Sequence, residues 1–235
     1  MEDLFRSGTL EMSATPLDAM TADLPWREVL TNQALAVVAV ALLLVALPDF
    51  FRLLPDLLFS FDRSRGAAAL EHSVSQARTR NLIALSCILP FCLVADRYGL
   101  WRPDVLTAVP AAWTAPAILG AAIVFLLFRE LMYLLLRPRR LAGEEADTLH
   151  HAPYNYFILL TILVLATAGL LSLVGCGDAV VRRVLLWEVG IVWLFAILRS
   201  GQFLAGHCNV FSTFLYLCGL EIVPVALVVA VVVFF

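Results

Sequence analysis

The chain has no lysine: its sixteen basic residues are all arginine. That excludes Schiff-base and lysine-base chemistry, and any phosphate loop of the GxxxxGK type. Charge of either sign is scarce, at 15% of residues against 62% hydrophobic, and the mean hydropathy is +0.91. A soluble domain carries about 25% charged residues. The chain therefore has too little polar material to cover a water-facing surface, and the membrane class follows. The five cysteines (Cys87, Cys92, Cys176, Cys208, Cys218) show no CxxC spacing, so disulfide frameworks and zinc ribbons are set aside and the thiols read as small hydrophobes. HExxH and GxSxG are missing too, and no metal or cofactor is implied. The arginines are spread over several loops and form no basic face, which argues against nucleic acid as a partner.

What is present begins with a polar tail. Residues 1–28 carry Glu2, Asp3, Glu11, Asp18, Asp23 and Glu28 but only Arg6 and Arg27. A secretory signal needs a basic start and an apolar core, so this segment reads as a tail, with Trp26 at headgroup level in an interfacial turn. Residues 29–235 form a single transmembrane helical domain. A helix needs roughly 20 apolar residues to cross the hydrocarbon. Six candidates centre on 33–47, 81–95, 105–128, 154–174, 184–198 and 210–235. The first, second and fifth have short apolar cores and reach membrane length only if their flanks continue the helix. The expected fold is all-α, a polytopic bundle of about six spans in contact with lipid. After span one, "PDFFRLLPDLLFSFDRSR" has two readings: an amphipathic helix lying in the interface, or an extension of span one. Span three is rich in small residues, and Ala117, Gly120 and Ala121 make it the expected centre of the bundle.

Orientation follows the arginines in the short loops. Arg52, Arg63, Arg65, Arg78, Arg80, Arg137, Arg139, Arg140 and Arg199 fall on one side; Arg6, Arg27, Arg97, Arg102, Arg182 and Arg183 fall on the other. The excess places "RPRR" in the cytoplasm and both termini in the periplasm, as for a multi-pass protein of a bacterial inner membrane.

The candidate site residues are polar groups inside or beside the spans. Glu221 is the only charged residue from Val210 onward. At mid-depth it costs at least ~2.5 kcal/mol to insert, so it must face the bundle interior or water, or be protonated. Pro224 leaves the Leu220 carbonyl without its helical donor. Cys218 and Tyr216 lie nearby, and Tyr216 or Arg199 are possible partners for the carboxyl. Two roles stay open: a binding or proton-relay site, or a hydrogen bond that fixes helix register. Glu188 is the second intramembrane acid, expected to reach toward Arg182 or Arg183. Arg129 and Glu130 are expected to form an interfacial ion pair. The loop "RSGQFLAGHCNVF" gathers Arg199, His207 and Asn209, and "HHAPYNYF" opens span four with His150 and His151.

"FLYLCGLEIVPV", with Tyr216, Leu217, Cys218, Leu220, Glu221, Ile222 and Pro224, resembles the last helix of a family of uncharacterised six-span inner-membrane proteins of Bacteroidota, domain-of-unknown-function family four-two-seven-one. The arginine-rich first loop and "YNYF" are similar more loosely, whereas the "HH" pair and the valine tail depart from the pattern. The resemblance implies a location and a span count but no reaction. Three functional readings therefore stand: a non-enzymatic membrane component or small transporter centred on Glu221; an intramembrane enzyme acting on a lipid or isoprenoid; and a scaffold that holds membrane-protein partners in an envelope assembly.

Overall fold

The structure, a computed structural model, describes residues 25–62, 74–136, 143–207 and 209–234. Five continuous helices come first: α1 (Leu30–Asp62), α2 (Val74–Arg97), α3 (Ala111–Leu136), α4 (Gly143–Leu173) and α5 (Asp178–His207). A 3₁₀ turn, Asp104–Ala108, precedes α3. The last helix is composite: α6 (Val210–Leu217), a π turn (Cys218–Ile222) and α7 (Val223–Phe234). The described residues contain no strand. Five helices, all but α5, are long and apolar enough to cross a membrane. The chain is thus a multi-pass membrane protein. In α5 the short apolar core at 184–198 is continued by helix on both flanks. Its 30 residues span roughly 45 Å, more than the ~30 Å hydrocarbon.

Of the two readings of the segment after span one, the structure takes the second: α1 runs on unbroken through Pro48 and Pro55 to Asp62. Each proline removes one backbone hydrogen bond. Beyond Pro48, the helix is held by Leu53, which is buried against Ile83, Cys87 and Ile158, with Phe50 packed beside them. The basic loop "RPRR" and the tail up to residue 24 lie outside the described residues.

The centre of the bundle is α2, not α3. It packs on α1, α3 and α4, and it supplies buried side chains to three of the four core clusters: Ile83, Ala84 and Cys87; Leu89 and Leu93; and Cys92. Of its most apolar stretch 44% is buried, against 17% for α3. Small residues do decide the packing, but on different positions from those expected. Ala39, Ala84, Cys87, Cys92 and Ala115 are among the buried ones, and they let backbones approach where lipid gives no hydrophobic drive. Ala117 packs against the α2–α3 cluster, whereas Gly120 is exposed, and a Cβ there would meet nothing within 4 Å. The reason is angular. At 100° per residue, Ala115, Ile118 and Ala122 share one stripe of α3, and Gly120 falls off it.

One end of the bundle is closed by two matching caps. Gly99 (φ 60) and Gly175 (φ 78) end α2 and α4 in left-handed conformation. The next residues bond back six-to-one, Leu100 N–H to the Ala95 carbonyl and Cys176 N–H to that of Leu171, as Schellman caps do. This rim also carries the Arg97–Asp178 ion pair at 3.1 Å, Trp26 Nε1 donating to Asp96 at 2.6 Å, and Trp101 Nε1 donating to the Val228 carbonyl at 3.1 Å. A turn is present at Trp26, closed by Glu28 N–H on the Pro25 carbonyl. Such aromatic and charged belts suit a headgroup layer.

Candidate functional site

The other end holds the polar centre, and the last helix builds it through an irregularity. Pro224 has no N–H to give Leu220, and in a regular helix its ring would press on that carbonyl. The chain responds with one π turn just before the proline, in which Val223 N–H bonds the Cys218 carbonyl five residues back. π turns recur at functional sites, and Glu221 lies inside this one.

Arg129, from α3, meets it. Eleven residues separate Arg129 from the buried Ile118, which is about three helical turns, so both lie on the packed stripe. The Arg129 Nη2 atom stands 3.8 Å from Glu221 Oε1, and the two side chains are only 12% and 15% exposed. At that distance they form an ion pair without a direct hydrogen bond, whose usual limit is about 3.2 Å. Nη2 also donates to the His150 carbonyl at 3.3 Å, and the guanidinium lies 5.6 Å from the centre of the Tyr154 ring. Pro153, which cannot donate to Leu149, loosens this turn of α4.

Glu130 points about 100° away from Arg129 around α3 and pairs with α4. Its Oε2 is 2.8 Å from His150 Nε2, and the Tyr154 hydroxyl donates to its Oε1 at 2.8 Å. Tyr133 stacks on His150 with centroids 4.1 Å apart. The expected Arg129–Glu130 ion pair is therefore replaced by two cross-helix pairs. Between them a small cavity is lined by Arg129, Tyr133, His150, Ser200, Tyr216 and Glu221. Measured to the centre of a water molecule its volume is about 10 Å³, near the least that holds one water. Ser200 comes from α5, is 4% exposed, and its Oγ has no hydrogen-bond partner among the described protein groups. A Cβ on Gly201 beside it would stand 3.7 Å from the Leu217 side chain of α6, an ordinary van der Waals contact.

Of the residues singled out from sequence, Glu221, Tyr216, Arg129 and His150 meet at this cavity. Cys218 lies in the same π turn but outside the lining, and its thiol is free. Arg199 donates to Gln202 Oε1 at 3.3 Å and lies 5.2 Å from the Phe195 ring centre. Asn209 is exposed at the N-cap of α6, where its carbonyl, not its side chain, accepts from Thr213 N–H at 2.9 Å. His207 ends α5, and its side chain lies outside the described residues. Glu188 does not reach toward Arg182 or Arg183. Thr167 of α4 donates to its Oε1 at 2.6 Å, while Oε2 is buried without a partner.

Ser200, Tyr133 and the roles of Arg129, Glu130, His150 and Tyr154 were missed. A signal existed. "RE" closes span three and "HHAPYNYF" opens span four, and a helical hairpin must bring those ends together. A further missed group is Arg80, 1% exposed in α2, whose guanidinium donates to Asn81 Oδ1 at 3.1 and 3.2 Å.

Set against family models, curated proteins and solved structures, the chain matches none.

Proposed function

We propose that this chain is a non-enzymatic component of a bacterial inner membrane, a small transporter whose polar centre is Glu221 paired with Arg129. The observation that carries this reading is the buried ion pair lining a cavity inside a membrane-spanning bundle. Ionisable groups in spans are expensive and concentrate on substrate and ion pathways. The inner-membrane location rests on the arginine excess beside "RPRR" and on the similarity of the last helix to the six-span family. A lipid or isoprenoid enzyme is disfavoured because a cavity of about 10 Å³ admits no acyl or prenyl chain.

The test uses the purified full chain in liposomes with a trapped pH-sensitive dye and an imposed pH gradient. Wild-type protein is expected to collapse the gradient faster than empty liposomes, and Glu221→Gln, incorporated equally, to fall back to the empty rate. Wild-type rates equal to those of empty liposomes sink the transport reading. Normal flux in Glu221→Gln, with Glu221→Leu failing to fold, makes the carboxyl a structural strut and favours the scaffold.

A further inference from the structure

The separation of Arg129 from Glu221 is too long for a hydrogen bond and too short for unrelated groups. A polar gap beyond about 3.5 Å is commonly bridged by water. Ser200 gives an independent reason for the same conclusion. Its hydroxyl is buried and unpartnered, and it lines the same cavity as the ion pair. A buried hydroxyl without a partner costs about 1–3 kcal/mol on general grounds, so such groups are normally satisfied. The cavity volume of about 10 Å³ decides the size of the missing partner. It admits one water and no organic solute.

Resting on the transport reading above, we propose that Glu221, Arg129 and Ser200 hold one buried water between them, and that this water passes protons to and from Glu221. The occupant is a neutral water and not a metal cation, because the Arg129 guanidinium lining the same cavity repels a fixed positive charge. In the uptake step the bound water gives one proton to a Glu221 carboxylate oxygen and takes one from a hydronium in the aqueous phase outside the cavity. An O–H bond forms on Glu221 as one of the water's O–H bonds breaks, a new O–H bond forms on that water as one of the hydronium's breaks, and neutral water is left at both positions. Release reverses the step. Protonation leaves Arg129 without its counter-charge, so the guanidinium turns to the His150 carbonyl it already touches. The other titratable groups facing the cavity are Tyr133 from α3, His150 from α4 with Glu130 behind it, and Tyr216 from α6.

The experiment is infrared difference spectroscopy on the full chain in lipid vesicles as bulk pH is stepped. A carboxyl band that titrates in wild type and disappears in Glu221→Gln is assigned to Glu221. Three results are expected. The band titrates, it moves in Ser200→Ala, and a water O–H band that appears with it shifts in heavy-oxygen water. A Glu221 band that never titrates overturns the proton step. A band unmoved by Ser200→Ala, or the lack of any heavy-oxygen shift, overturns the water site. The heavy-oxygen measurement needs no variant and so survives a folding failure of Ser200→Ala. The spectra are independent of flux. A titrating, water-linked Glu221 in vesicles that hold their pH gradient refutes transport alone, and flux without these bands refutes the water alone.

Discussion

Glu221 and Glu188 are both helical carboxylates, and the fold treats them differently. Glu221 stands in a π turn, faces a guanidinium from another helix at 3.8 Å and opens on a cavity. Glu188 stands in regular helix, is held by one hydroxyl at 2.6 Å and has an unpartnered second oxygen. It belongs to the seam between α4 and α5, where Val164, Ala168, Val181 and Leu185 pack closely. Glu221 lies where α3, α5 and the last helix converge around a void. The difference shows that lying in a membrane helix does not settle an acid's surroundings. Of the two, Glu221 faces an opposite charge and lines the cavity, the features that the proposed proton step needs.

The strongest way to break this comparison is to remove the cation. Arg129→Leu leaves Glu221 buried and unpaired, which costs about 3 kcal/mol or more for a buried pair. Thermal unfolding in detergent should show a large drop, and the double variant Arg129→Leu with Glu221→Leu should recover most of it. Equal, additive losses would mean that the two groups do not interact.

The acid in the seam should behave more mildly. Thr167→Val removes one interhelical hydrogen bond, worth roughly 0.6–1 kcal/mol in membrane bundles. Glu188→Leu removes both that bond and the stranded oxygen, so its net effect should stay within about 1 kcal/mol. A loss as large as that of Arg129→Leu would erase the contrast between the two sites.

A smaller effect is expected at the bundle's far rim. The Arg97–Asp178 pair is partly exposed, and exposed pairs contribute about 0–1 kcal/mol. Arg97→Ala should shift the melting temperature slightly and less so in high salt. The smallest effect sharpens the picture of α3 itself. Gly120 and Arg129 are nine residues apart, half a turn from each other on the helix wheel. Gly120→Leu, toward open space, should leave stability unchanged or slightly raised. A clear loss would put that face against protein.

The legible part of the fold was whatever depends on local chemistry. Hydrophobic length predicted the spans, because crossing hydrocarbon needs a fixed number of apolar residues whatever their neighbours are. Pro224 next to Glu221 marked the irregular turn, since proline's missing N–H is a local fact. The site was harder. Glu221 was visible as an isolated charge, but its partner was sought in Tyr216 and Arg199, close to it in the chain. The partner is Arg129, ninety-two positions earlier. The pairing of Glu130 with His150 and Tyr154 was hidden for the same reason.

By itself, then, the sequence determined that this is an all-helical membrane protein, that an acid lies deep in its last helix, and that the helix is disturbed just beside it. Each of these follows from residue types and spacing along one segment. Only the tertiary structure decided that α2 is the central helix, that Gly120 looks outward, and that Arg129, Ser200 and Glu221 share one cavity. In lipid every span is apolar on its outer face, so hydrophobicity no longer tells inside from outside. Which faces meet depends on the fit of small side chains between helices distant in sequence, and that fit exists only once the bundle has formed.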